Sequence, residues 1–233
     1  MRDKAKILIV KSGTTNPPVV AAHGDYDFWF QKSLSAHAIQ WVVVSVYLGD
    51  PLPDPADFDG IILTGSPESV WEGAPWMRRT ADWLGHIVHR STTPVLGVCF
   101  GHQLLGWALG GEVCPNPNGG EVGTIQVDLN AAGQADYLFQ GLPNPIVVQS
   151  IHNDIVMELP ETDGLMRLGG TANTSLQAFA IGSNIRAVQF HPELSASALS
   201  MLCVEREIEA TVRDCHHGDV ILENWFLYVS NRA

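Results

Sequence analysis

The sequence predicts an α/β fold: a three-layer sandwich in which a mixed, mostly parallel central sheet is flanked by helices. Two observations carry this expectation. In the first half of the chain, short apolar runs of strand length alternate with amphipathic segments of helical period, the pattern of a parallel sheet covered on both faces. In the second half, strand-like stretches are separated by Gly, Asn and Pro turns, which adds hairpins or a mixed region to that sheet. The chain has 233 residues, 45% of them hydrophobic and 16% charged, which suits one domain over residues 1–233 with a sizeable core.

Residues 6–10 form the first strand, ending in the loop Ser12-Gly13-Thr14, and a helix follows over 26–38 after a Pro- and Gly-bearing loop. Residues 39–47 are strongly β-branched and read as a strand. The segment 49–59, with three prolines and four aspartates, is an exposed connector, and 60–64 is an apolar strand. Pro75 stands at a favoured first helical position. Behind it Trp76, Thr80, Trp83, Leu84, Ile87 and Val88 recur at helical spacing. A strand over 94–99 and a helix over 101–109 come next. Strands are expected over 122–129, 146–156, 165–168 and 176–190. A helix over 197–214, a break at Gly218 and a last helix over 220–229 complete the chain.

Lys and Arg number 13 against 25 Asp and Glu, a formal net charge of −12, which argues against generic binding to nucleic acid or an anionic membrane. No apolar run is long enough to span a bilayer, and the four apolar residues at 7–10 are too few for a secretory signal core. Cys99, Cys114, Cys203 and Cys215 show no paired spacing, so a reducing cytoplasm is expected, without disulfides. No zinc-type ligand pairs occur, and no metal or cofactor is expected. Cys215-His216-His217 reads as a polar helix end, His86 and His89 as a solvated helix face, and Trp71 and Trp76 as core packing in preference to a docking face.

The segment Gly97-Val98-Cys99-Phe100-Gly101-His102-Gln103 sets a cysteine on a glycine-flanked turn between an apolar strand and a helix. This has the logic of the nucleophile elbow: the turn exposes the attacking atom and brings the backbone close to its neighbours. A cysteine nucleophile needs a base, and the base needs an orienter. Val188-Gln189-Phe190-His191-Pro192-Glu193 supplies both. Pro192 pushes His191 into extended geometry, where residues two apart point the same way, so Glu193 can reach the His191 ring. Leu63-Thr64-Gly65-Ser66-Pro67 runs a buried strand into a glycine turn, whose Gly65 amide, with that of Phe100, is a candidate oxyanion hole.

Together the three motifs resemble those of the class I (triad) glutamine amidotransferases, nearest the amidotransferase part of GMP synthetases and their stand-alone relatives. The resemblance covers nearly the whole chain. It implies a flavodoxin-like sheet of seven or so strands and a triad of Cys99 as nucleophile, His191 as base then acid, and Glu193 as orienter. Gly65 and Phe100 take the oxyanion amides, Gln103 helps hold the substrate, and His152, in a stretch similar to the family's Ser-His-x-Asp, lies along it. Ile151 stands where synthetases usually have serine.

The reaction so implied is attack on the γ-glutamyl amide of glutamine through a thioester, releasing glutamate and ammonia. No Gly-x-x-x-x-Gly-Lys loop occurs, so acceptor chemistry is expected on a separate synthase partner. The alternatives are a stand-alone hydrolase of γ-glutamyl peptides or conjugates and, from another class, a non-catalytic regulatory or binding subunit.

Overall fold

The computed structural model describes residues 4–232. The elements are β1 (Ala5–Lys11), α1 (Pro17–His23), α2 (Tyr26–Ser33), β2 (Ile39–Ser45), β3 (Gly60–Leu63), α3 (Pro75–Arg90), β4 (Val95–Val98), α4 (Phe100–Ala108), β5 (Glu112–Pro115), β6 (Glu121–Leu129), α5 (Ala131–Ala135), β7 (Ile146–His152), β8 (Asp154–Glu158), β9 (Leu165–Gly170), β10 (Ala178–Ile181), β11 (Ile185–Val188), α6 (Ala196–Glu205) and α7 (His217–Ser230). Nine strands form one sheet in the order β2-β1-β3-β4-β11-β10-β9-β6-β7, and β5 and β8 pair separately. From β2 to β11 all neighbours are parallel, and from β11 to β7 they are antiparallel. Seven of the nine strands therefore run the same way, with β10 and β6 reversed.

The layering follows from the apolar runs. Ile7, Leu8, Ile9 and Val10 are all fully buried. Successive side chains of a strand point to opposite faces, so such a run must be covered on both. Ile7 and Ile9 pack with Phe30 of α2 and Ile221, Leu222 and Trp225 of α7. Leu8 and Val10 pack with Met77, Leu84 and Ile87 of α3 and Leu104 and Leu105 of α4.

The expected helix over 197–214 stops nine residues early. The Ile208 amide reaches back to the Cys203 carbonyl at 2.8 Å, and Glu207 adopts a left-handed φ of 54°, turning the chain away after Glu205. The helix expected over 26–38 likewise ends at Ser33. The strand expected over 146–156 is two strands in different sheets, β7 and β8, separated by Asn153 alone. The run 176–190 folds back on itself through Gly182, at φ 54°, into the β10–β11 pair. Gly218 does not break a helix but lies in the first turn of α7, where a Cβ would strike the Pro192 carbonyl. The segments α1, β5 and α5 are additions to the expected element list.

Trp76 packs against the core and stacks on Phe100 with centroids 5.6 Å apart, whereas Trp71 is 53% exposed. His86 and His89 are exposed, as a solvated face requires. Among the described residues no group of three or more His, Cys, Asp or Glu is arranged to hold a metal ion, and no helix is long and apolar enough to cross a membrane.

Candidate active site

Strands β4 and β11 lie side by side in parallel register, Val98 opposite Val188. Their carboxyl ends thus open at the same edge of the sheet, where open α/β folds place ligands. The chain leaves β4 at Cys99 and reaches His191 three residues beyond β11. Cys99 donates its amide to the Val188 carbonyl at 2.9 Å, which ties the two ends together.

Cys99 sits at φ 52° and ψ −101°, a backbone region that non-glycine residues rarely occupy. Its surroundings enforce this. A Cβ on Gly97 would come within 2.8 Å of the Gly101 carbonyl oxygen, and one on Gly101 within 2.7 Å of the Leu63 carbonyl oxygen. The turn therefore closes only with glycine on both flanks. Held so, the Cys99 side chain stands at the start of α4, where helix N–H groups have no intrahelical partner. Phe100 is the first residue of that helix, and Gly65 follows β3 immediately after Thr64.

His191 and Glu193 meet as the extended spacing requires: the His191 Nδ1 lies 2.7 Å from the Glu193 Oε1. The His191 amide donates to the Gln149 carbonyl at 2.8 Å, fixing this segment against β7. The two side chains are 3% and 0% exposed. Burial alone would lower the basicity of His191. The Glu193 charge and that of the adjacent Cys99 outweigh it and raise the imidazolium pKa to about 10. The second Glu193 oxygen, Oε2, has no hydrogen-bond partner among the described residues.

Cys99 opens onto a cavity of about 300 Å³ whose walls include Gln103, His152 and Asp154. Gln103 is buried and donates from Nε2 to the Asp154 carbonyl at 2.8 Å and to the Gln189 Oε1 at 3.2 Å. His152 also lines the cavity, but both ring nitrogens are engaged within the fold. Nδ1 lies 3.1 Å from the Asp154 carbonyl and Nε2 3.3 Å from the Glu121 carboxylate. Burial would push the Glu121 carboxyl up, but hydrogen bonds from His152 and Thr171 hold it below its ordinary range. Gln177 donates to the same carboxylate. Cys99 and Gln103 thus line one cavity with His152 built into its wall, His191 and Glu193 line a second cavity of about 340 Å³, and the Gly65 backbone lies against the His191 ring.

Sequence reasoning passed over several residues of this neighbourhood. Arg206, Glu68 and Ser69 line the cavity, and Tyr26 packs against Gly65. His102, the residue immediately before Gln103 in the same buried helix, lies against Phe179, and among the described residues neither its ring nitrogens nor the Gln189 Nε2 has a hydrogen-bond partner. A histidine on a fully buried helix was the available signal for the last of these.

The model of the class-I glutamine amidotransferase family matches residues 31–210. The chain belongs to that family. A GMP synthase (glutamine-hydrolyzing) of Leifsonia xyli subsp. xyli is 36% identical over 170 residues, covering 71% of this chain, and this chain spans only 28% of that enzyme. Gamma-glutamyl peptidase 4 of Arabidopsis thaliana is 26% identical over 204 residues, covering 85% of this chain and 80% of the peptidase. A solved glutamine amidotransferase from Methylobacillus flagellatus superposes with a TM-score of 0.74 at 20% identity, covering 96% of this chain and 94% of that one. Its likeness is one of fold: the mixed sheet with helices on both faces that the sequence predicts.

Proposed function

We propose that the chain is a glutamine amidotransferase-type hydrolase that cleaves the γ-glutamyl amide of glutamine with Cys99, His191 and Glu193. The observation that carries this reading is the convergence, at the ends of two adjacent parallel strands, of a strained cysteine turn and a buried histidine–carboxylate pair.

In this mechanism the Cys99 sulfur attacks the γ-carbonyl carbon, and the developing oxyanion accepts hydrogen bonds from the Gly65 and Phe100 amides. His191, held as imidazolium by Glu193, gives its proton to the leaving nitrogen. The C–N bond breaks, ammonia leaves, and a γ-glutamyl thioester remains on Cys99. His191 then takes a proton from water, which attacks the thioester and returns the thiol and glutamate. The GMP synthase relative points to a synthase partner that receives the ammonia. The free cysteines suit a reducing cytoplasm.

A second reading is favoured by the similarity to a gamma-glutamyl peptidase over four-fifths of that protein. The same residues would then hydrolyse γ-glutamyl peptides. Glutamate release from L-glutamine and from γ-glutamyl dipeptides, measured beside Cys99→Ala, tests both. Turnover of glutamine supports the first reading, and dipeptide turnover with little use of glutamine supports the second. Hydrolysis of neither, or full activity in Cys99→Ala, would overturn the mechanism.

A further inference from the structure

Glu193 holds the His191 ring at Nδ1 alone. The next ring atom, Cε1, faces the backbone of Gly65, where a Cβ would lie 2.9 Å from it. Gly65 needs a backing of its own, because β3 ends at Leu63 and leaves it outside the strand ladder. Tyr26 supplies that backing. Its ring atoms Cε1 and Cδ1 would stand 3.2 Å and 3.5 Å from the same Cβ, so the edges of the Tyr26 and His191 rings meet one face of Gly65.

The fold moors Tyr26 on several sides. It is the first residue of α2 and only 5% exposed. Its amide donates to the Asp25 carboxylate at 2.9 Å, which also accepts from the Thr14 hydroxyl at 2.7 Å and the Thr15 amide at 3.0 Å. Lys11, the last residue of β1, pairs with the same carboxylate at 2.7 Å. The start of α2 is thereby tied to the strand that neighbours β3. Trp29 meets the Tyr26 ring edge-on, with centroids 5.2 Å apart, and is itself fixed by its Nε1, which donates to the His23 carbonyl at 3.0 Å. Ile151, Leu194, Leu199 and Leu202 belong to the same buried cluster.

The Tyr26 hydroxyl lies beside the Arg206 guanidinium. Burial nevertheless holds its pKa well above the ordinary phenol value, so the hydroxyl keeps its proton where an imidazole titrates. Tyr26 thus brings no base to the site. What it brings is a rigid edge against Gly65.

We propose that Tyr26 is a positioning residue: its ring backs Gly65 and, through it, holds the His191 imidazole and the Gly65 amide in register with Cys99. The inference rests on reading Cys99 and His191 as the hydrolytic pair. Glu193 fixes the imidazole at Nδ1, the Gly65–Tyr26 wall stops the swing of Cε1, and the other ring nitrogen is left to Cys99. A displacement of about 1 Å in such a constellation costs about a hundredfold in rate. Removing the ring leaves Gly65 room to move, and both the proposed base and the proposed oxyanion donor move with it.

Two substitutions separate this from a packing role. Tyr26→Phe keeps the ring and is expected to hold kcat for glutamate release from L-glutamine within about twofold of wild type. Tyr26→Leu removes it and is expected to lower kcat about tenfold or more, with KM changed by less than about twofold. Should Tyr26→Leu not fold, Tyr26→Met takes its place. A tenfold fall in Tyr26→Phe would assign the effect to the hydroxyl and overturn the proposal, as would equal kcat in all the variants.

Nuclear magnetic resonance makes the test independent of turnover. In protein labelled at histidine, the His191 Cε1–H signal should shift in Tyr26→Leu and stay in place in Tyr26→Phe. An unmoved signal in Tyr26→Leu overturns the positioning role. If the wild type hydrolyses neither glutamine nor a γ-glutamyl dipeptide, the hydrolase reading fails, while the shift of this signal still decides whether Tyr26 sets the ring.

Discussion

Gly65 and His191 touch so closely that a single added methyl group would collide with the imidazole: a Cβ on Gly65 would lie 2.9 Å from the His191 Cε1 and 3.2 Å from the Tyr26 ring. The backbone proposed to receive the oxyanion is therefore also the wall that sets the angle of the proposed base. Gly65→Ala is expected to tilt His191 away from Cys99 and cost about tenfold or more in kcat, with an overpacking loss of about 1–3 kcal/mol in stability. Steady-state kinetics beside thermal unfolding check this, and unchanged kcat would show that the ring position does not matter.

Glu193 bears on stability as well as on geometry. Burial disfavours the His191 imidazolium, but the Glu193 charge more than offsets it, so the folded pKa of about 10 lies above the unfolded value of about 6.5. Between roughly pH 6.5 and 10 the folded chain holds a proton that the unfolded chain lacks. The resulting stabilisation is complete below pH 6.5 and fades as pH rises through this window, by at most about 1.4 kcal/mol per pH unit. Urea unfolding across that range should show a fall in stability in wild type and a flatter profile in Glu193→Gln. Equal slopes would mean that the pair does not hold the proton.

His102 has the opposite sign. Burial, reinforced by His152, lowers its pKa to about 3, so it is neutral in the fold and protonates when unfolded. Its neutral state costs nothing above about pH 6.5, and stability is expected to fall as pH drops from there toward 3. His102→Leu should blunt this acid sensitivity, measured as the unfolding midpoint between pH 4 and 7. An identical midpoint shift in both proteins would remove His102 from the account.

The Cys99 backbone should reveal its strain in a comparison of two inactive variants. At φ 52° and ψ −101°, alanine keeps the strain that glycine relieves, so Cys99→Gly is expected to be more stable than Cys99→Ala by about 1–3 kcal/mol. Denaturant midpoints decide it. Alanine equal to or above glycine would mean that the turn is not strained.

The candidate site was legible where its chemistry is local. The Gly97–Gly101 turn and the two-residue spacing of His191 and Glu193 are consequences of backbone geometry that a few neighbouring residues determine. The sheet was legible for a related reason: where a strand is covered on both faces, as β1 is from Ile7 to Val10, every one of those positions must be apolar. Arg206 was hidden because periodicity continues through 197–214, while the end of α6 depends on a left-handed Glu207 and on the Ile208–Cys203 hydrogen bond. The split of 146–158 was hidden because β7 and β8 are equally apolar, and only their partners in two different sheets separate them. His152 carries a motif's signature, yet its ring is taken by Glu121 and Asp154, contacts made across 31 and 2 residues of chain.

The clamp around the cysteine turn divides the site into parts that can and cannot vary. Leu63, Gly97 and Gly101 press on one another through backbone atoms, so no side chain can be exchanged there without moving two strands and a helix. The opposite side of the opening is built from the segment after β3, Ser66 to Ser69, and the segment after α6, Arg206 to Ile208, neither of which is part of a strand or an α-helix. If the proposed triad acts as argued, substitutions in those two segments would reshape the cavity wall while Cys99, His191 and Glu193 stay as they are. On the reading proposed, the bond-breaking groups and this part of the cavity wall lie on separate pieces of chain.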